Sequence, residues 1–178
     1  MALTVQRTFS ITAQPSNATG NEGATSSFTV STTSSSGTVT YQWERSDDAG
    51  ANYASVGSAT SASYTTPTLV FANDNADRYR VVASLVGAAA SITSSHGELT
   101  VLRVISISAQ PTSTAVIEGQ TGQFSISAAI TSGSISYQWQ KSTNSGGVWN
   151  NINGANAASY TTPLQFIQLH HPNSSVAY

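Results

Sequence analysis

The sequence predicts an all-β chain made of two consecutive two-sheet sandwiches, and three observations predict it. The first is a short stretch written twice, Tyr41-Gln42-Trp43 and Tyr137-Gln138-Trp139. Each ends an alternating run, Val39-x-Tyr41-x-Trp43 and Ile135-x-Tyr137-x-Trp139. Period-two alternation sets those three side chains on one face of a strand. The second is a repeat at an offset of 96 residues, seen from Gln14 to Gln110. It runs without a gap from Leu3/Leu99 to Pro67/Pro163, and about 28 of the 66 pairs from Ala2/Glu98 onward are identical, far above chance in this composition. The third is length, since 178 residues hold two domains of sandwich size.

The elements follow in order. Strand A covers Phe9 to Ala13 and stops at Pro15, which cannot donate to a ladder. Asn21-Glu22-Gly23 is a turn. Strand B, Thr25 to Thr32, points Phe28 and Val30 inward, and Ser34 to Gly37 is a loop. Strand C runs from Thr38 to Arg45, a short C′ strand from Tyr53 to Val56, and strand E from Ser61 to Thr66. Strand F, Arg78 to Leu85, turns Tyr79, Val81 and Ala83 inward. Strand G runs from about Ser91 to Leu102 with a bulge at Gly97, and His96 falls on it. Val101-Leu102-Arg103-Val104 contains no Gly, Pro or Ser, so strand G is expected to flow into the next strand A and stiffen the junction into a tandem rod. The domains are 9–103 and 104–178, with 1–8 an N-terminal arm or the tail-like strand of a preceding repeat.

A Trp ending its strand, with a Phe strand before it and a Tyr strand after it, is the arrangement of an immunoglobulin-like sandwich. The expected structural core is Phe28, Val30, Trp43, Tyr79 and Val81, then Phe124, Ile126 and Trp139 in the second domain. The cysteines of a disulfide-linked relative would fall near Val30 and Val81, so two valines are expected beneath Trp43. Asp74-Asn75-x-x-x-Tyr79 is similar to a tyrosine corner, whose phenol bonds backbone upstream.

Composition excludes several functions. Few residues are charged and the net charge is only -2, yet aromatic and β-branched residues recur regularly, which argues for a core and against disorder. Six basic residues do not make the cationic face that nucleic acid or an anionic membrane requires. With no cysteine there is no disulfide, thiolate metal site or cysteine nucleophile, which fits assembly in a reducing cytoplasm. The first seven residues lack the apolar core of a signal peptide, and no apolar run is long enough to span a bilayer.

The C–C′ connection is the most patterned loop. It reads Ser46-x-Asp48-x-Gly50-x-x-Tyr53 and then Ser142-x-Asn144-x-Gly146-x-x-Trp149. Both resemble the Asp-box hairpin, Ser-x-Asp-x-Gly-x-x-aromatic, of sialidases and other β proteins. The resemblance implies that the Asp or Asn caps turn amides, that Gly takes a positive φ, and that the aromatic covers the hairpin. Tyr53 and Trp149 could alternatively contact a glycan. Asp47 and Asp48 offer two oxygens to Ca²⁺, which needs six to eight, and the second domain has Thr143 and Asn144 there. His170-His171 would point to opposite faces of a strand, so no metal site is expected. No nucleophile elbow, carboxylate pair or phosphate loop is present, so no enzyme and no cofactor are expected. Asn17-Ala18-Thr19 and Asn173-Ser174-Ser175 match the glycosylation sequon as Ser/Thr-rich chains do by chance.

Taken together, Glu-Gly-x-x-x-x-Phe, Tyr-Gln-Trp-[Glu/Gln]-[Arg/Lys]-Ser, the Asp-box-like loop and Ala-x-Tyr-Thr-Thr-Pro resemble the bacterial-type immunoglobulin-like repeats of tailed-phage virion proteins, including those of cyanophages. The same modules occur in bacterial surface adhesins. The resemblance reaches nearly to Pro163. It implies a non-enzymatic decoration, fibre or spacer module on a virion surface, assembled in the host cytoplasm. Its partners would be capsid or tail proteins and, weakly, cell-surface glycans. A bacterial adhesin repeat and an accessory carbohydrate-binding module of an extracellular enzyme are the alternatives. The opening Leu3-Thr4-Val5-x-Arg7 repeats Leu99-Thr100-Val101-x-Arg103, the close of strand G. After Pro163 the match fades, and Asn173 to Tyr178 resembles the approach to the tyrosine corner, with Tyr178 in the place of Tyr79. Strands F and G of the second domain are therefore expected to be absent, leaving Trp139 half exposed and strand C an open edge available for self-association. A window cut from a longer array, strands donated by a neighbouring chain, or a smaller rearranged domain would each account for this.

Overall fold

The computed structural model describes residues 6–166 and divides between Val104 and Ile105 into two compact units. The first contains β1 (Phe9–Ala13), β2 (Ala18–Asn21), β3 (Ser27–Thr29), β4 (Ser31–Ser34), β5 (Val39–Ser46), β6 (Ala54–Ser55), β7 (Ser63–Thr65), helix α1 (Phe71–Asp74), β8 (Arg78–Leu85), β9 (Ile92–Thr93) and β10 (Gly97–Leu102). One face pairs β1 with β4 and β3 with β7, all antiparallel. The other is a sheet in the order β2-β10-β8-β5-β6, with β9 also on β8. This is an all-β, immunoglobulin-like architecture.

The alternation of Arg-Tyr-Arg-Val-Val-Ala-Ser-Leu sets this core, because residues along β8 are alternately half-buried and buried throughout. Trp43 faces Val81 across the β5–β8 ladder and is 0% exposed. Phe28, Val30, Trp43, Leu69, Tyr79, Val81, Leu99 and Val101 form one buried cluster. Tyr79 stacks on Phe28 at 4.7 Å between ring centroids, and Trp43 lies 6.4 Å from Phe28. The indole N–H of Trp43 donates to the Ser61 carbonyl at 2.9 Å, which removes the one polar cost of burying it.

Several expected elements differ. Strand B is two strands, because the chain changes partner at Val30, whose N–H donates to Ala62. Strand C′ shortens to Ala54–Ser55. Strand G is broken between Thr93 and Gly97, where its register on β8 slips by one residue, and His96 sits in that break. The slip is the expected bulge, placed just before Gly97. The Tyr79 phenol does not meet backbone upstream. It meets the Asp77 carboxylate at 3.4 Å, since Asp77 is itself buried two residues away. Strand β10 does not flow into the next strand: Arg103 and Val104 intervene, and the Arg103 guanidinium stacks over Phe71 at 3.8 Å.

The second unit contains β11 (Ile105–Ala109), β12 (Gln123–Ser125), β13 (Ser127–Ile130), β14 (Gln140–Lys141), β15 (Asn150–Asn151) and β16 (Ser159–Thr161). The β11–β13 and β12–β16 registers repeat those of β1–β4 and β3–β7 at the 96-residue offset. Trp139 is 8% exposed and so not half exposed as expected. It is shielded by its own unit, between Phe124 at 6.4 Å and Tyr160 at 6.1 Å, with its indole N–H on the Ala157 carbonyl at 2.9 Å. Phe124 and Ile126 are only half-buried. Their counterparts Phe28 and Val30 are roofed by β8 and β10, and no equivalents of those strands exist among the described residues of this unit. For the same reason residues 134–139 are not a strand here, although 39–43 are one in the first unit. A strand without a neighbour has no ladder to hold it. The sequence from 167 onward, including His170, His171 and Tyr178, lies outside the described residues, as does the Leu3-Thr4-Val5 stub.

Candidate functional site

The hairpins at the ends of β5 and β14 carry the sequence motif, and their geometry follows from it. Ser46 is buried at the root of the first turn. Its hydroxyl donates to Asp48 Oδ1 at 2.6 Å and accepts from the Gly50 N–H at 2.8 Å. Asp48 Oδ1 also accepts from the Asn52 N–H at 2.9 Å, and Oδ2 from the Asn52 amide at 2.7 Å. Ala49 (φ 59) and Gly50 (φ 91) are both left-handed, which makes the turn sharp enough for one side chain to cap its far end. The second hairpin repeats this. Ser142 Oγ donates to Asn144 Oδ1 at 2.8 Å, the Gly146 N–H donates to Ser142 Oγ at 2.9 Å, and the Val148 N–H donates to Asn144 Oδ1 at 2.8 Å.

Asp48 therefore has its carboxyl lowered from 3.8 to about 2, first by the Asn52 N–H and then by the Ser46 hydroxyl and the Asn52 amide. A carboxylate depressed on folding stabilises the fold above its unfolded pKa, and that contribution is lost as pH falls through the folded value. The first hairpin is expected to loosen between pH 3.8 and about 2, whereas the second, held by the neutral Asn144, is not. Carbon-detected NMR of the Asp48 carboxyl checks the midpoint. Asp48→Asn should keep the turn and abolish its pH response, and a midpoint near 4 in the wild type would sink the assignment.

The two aromatics of the motif differ. Tyr53 is half-buried, and the Arg80 guanidinium lies 3.7 Å above its ring. Arg80 is fixed in turn by Glu44 at 2.7 Å, its direct partner across the β5–β8 ladder. Trp149 is 45% exposed beside Gly146. Sequence reasoning missed the Arg80 lid, because Tyr53 and Arg80 are 27 residues apart and meet only once β5 has paired with both β6 and β8. Arg78 adds an ion pair to Glu98 at 3.2 Å and a bond to the Ala49 carbonyl.

A second polar cluster closes the end of the first core. Arg45 meets Asp77 at 2.5 Å and Asp74 at 3.5 Å, and donates to the Asn73 carbonyl at 2.8 Å. Burial raises the Asp77 pKa, against the pull of Arg45. Burial works against the Arg45 charge, but Asp77, Tyr79 and Asp74 together more than restore it. Burial and the Asp77 charge both push the Tyr79 phenol up. The cluster joins β5, α1 and β8 and holds the corner together. Asp47 and Asp48 gather no further carboxylates, and no group of three or more His, Cys, Asp or Glu side chains is placed to hold a metal among the described residues. Among those residues, no helix is long and apolar enough to cross a membrane.

No curated protein matches the sequence. Similar solved structures include the titin domains z1z2 in complex with telethonin, at 17% identity and a TM-score of 0.48, covering 89% of this chain and 81% of that one. The Sidekick-1 immunoglobulin domains 1-5 align at 15% identity and 0.46, covering 79% of this chain. The N-terminal four Ig domains of Dscam1 isoform 6.9 align at 11% and 0.47, covering 90% of this chain. The chain spans 29% of the Sidekick-1 structure and 39% of the Dscam1 structure. A sequence profile described as "Domain of unknown function (DUF8696)" matches residues 10–103, just over half of the 178 residues, and the chain belongs to that family.

Proposed function

We propose that this chain is a non-enzymatic pair of tandem immunoglobulin-like modules displayed on a phage virion, as decoration or fibre spacer, making weak reversible contacts with cell-surface glycans. The observation that carries the reading is the repeated hairpin. Its Ser, Asp/Asn and Gly recur 96 residues apart with the same hydrogen bonds, and every one of those polar groups is engaged in holding its own turn. Groups so engaged are scaffold, not catalyst. Its partners in this reading are capsid or tail proteins, with neither nucleic acid nor membrane among them. Of the two motif aromatics, Trp149 has the more open ring, and Tyr53 is lidded by Arg80. A shallow contact of this kind becomes useful only through many copies on one particle.

Gold-labelled antibody raised against the first unit is expected to decorate purified particles of the phage that encodes the chain. Labelling confined to a bacterial envelope would replace this reading with the adhesin one. Turnover of a glycan or ester that one point mutation abolishes would refute the non-enzymatic assignment.

A further inference from the structure

The second unit carries a surface depression that the first lacks in chemistry, and we infer that it is a low-affinity site for one neutral pyranose ring. This rests on the glycan-contact reading above and names the place and class of ligand. The depression has a volume of about 200 Å³ and is lined by residues between Asn153 and Thr161. That is room for one monosaccharide and little more. No lining residue is charged, so the site suits a neutral sugar and offers nothing to a sialic acid carboxylate.

Four of the lining side chains, Asn153, Asn156, Ser159 and Thr161, are exposed and make no hydrogen bond among the described residues. They present two amides and two hydroxyls, which can donate and accept as sugar hydroxyls do. The counterparts in the first unit are Gly57, Thr60, Ser63 and Thr65. Both amides are missing there, and the Thr65 hydroxyl is already bonded to Ser27 at 2.8 Å. In the second unit Ser27 is replaced by Gln123, which leaves Thr161 unbonded.

The floor is rigid. The Trp139 N–H donates to the Ala155 carbonyl at 3.0 Å, and its indole N–H donates to Ala157. The turn Ile152–Ala155 is closed by a 3.2 Å bond with Gly154 at φ 75. A fixed backbone bearing unbonded polar groups loses little freedom when a ligand arrives.

The test is an amide NMR titration of the full chain with the methyl glycosides of glucose, galactose, mannose and N-acetylglucosamine, and with sialic acid. At least one neutral glycoside is expected to give saturable shifts at 153–161, in the millimolar range for so small and open a ligand site. Residues 57–65 and the sialic acid titration should show none. Asn156→Ala should weaken binding about tenfold while leaving the amides of 142–148 in place. Absence of saturation with all four glycosides, shifts centred on Trp149, or binding unchanged in Asn156→Ala would each overturn the site. Beads carrying many copies separate the two readings. Glycan binding that survives Asn156→Ala removes this site and leaves adhesion standing, whereas beads that bind no glycan at all remove both.

Discussion

Trp43→Ala is expected to strip the first unit of a large part of its stability. Trp43 is fully buried, is flanked by Phe28 and Tyr64, and bonds the Ser61 carbonyl. Removing a large aromatic from a packed core costs roughly 3–5 kcal/mol, against a total of about 5–15 kcal/mol for an ordinary domain. The Ser61 carbonyl would lose its donor as well. No disulfide is present to hold the sheets while the core is repaired. Urea unfolding and amide exchange along β5 measure the loss, and Trp43→Phe should recover part of it. Trp139→Ala should cost less, because its neighbour Phe124 is only half-buried. A loss below about 1 kcal/mol for Trp43→Ala would remove this residue from the centre of the core.

Gly97→Ala is expected to be the next most damaging change. A Cβ there would sit 2.4 Å from the Ser16 carbonyl oxygen and 3.1 Å from Phe28 Cδ1. The first neighbour is backbone and cannot swing away. Ser16 lies in the short passage that carries the chain from β1 to β2, and the Glu98 N–H beside Gly97 donates to Asn17 at 2.9 Å. Relieving the clash means prising β2 from β10, so overpacking should cost roughly 2–3 kcal/mol and speed exchange at 18–21. Gly23→Ala is the control. Nothing lies within 4 Å of its Cβ, and only its φ of 87 opposes the substitution, at about 1 kcal/mol. Equal effects of the two substitutions would show that close approach at Gly97 is not the constraint.

The legible parts of this fold are those whose instructions are local. Phe9–Ala13 and Arg78–Leu85 form strands over the bounds their alternation sets, and the Ser-x-Asp-x-Gly turn closes through bonds spanning four residues. The illegible parts depend on distant chain. Ala18–Asn21 has no apolar alternation and becomes a strand only because β10 lies alongside. Helix α1 is too short for any periodicity. It is held by Asp74 Oδ2 accepting from the Val70 N–H and by Glu22 Oε1 accepting from the Phe71 N–H. The ion pair of half-buried Arg45 with buried Asp77 joins residues 32 apart in sequence. The polar depression of the second unit was hidden for a related reason. Asn153 and Asn156 read as ordinary loop residues until the 153–161 segment is seen folded around them.

The parallel pairing of β2 with β10 has a mechanical meaning. Four residues of each strand are in register, Ala18 with Leu99 through Asn21 with Leu102. Because the strands run the same way, the chain enters this ladder at one end and leaves it at the other. Tension drawn along the polypeptide slides the two strands past each other, so the bonds share the load and must fail together. An antiparallel pair pulled from adjacent ends would instead unzip one bond at a time. The parallel ladder thus sets the first unit against stretching along its own chain direction.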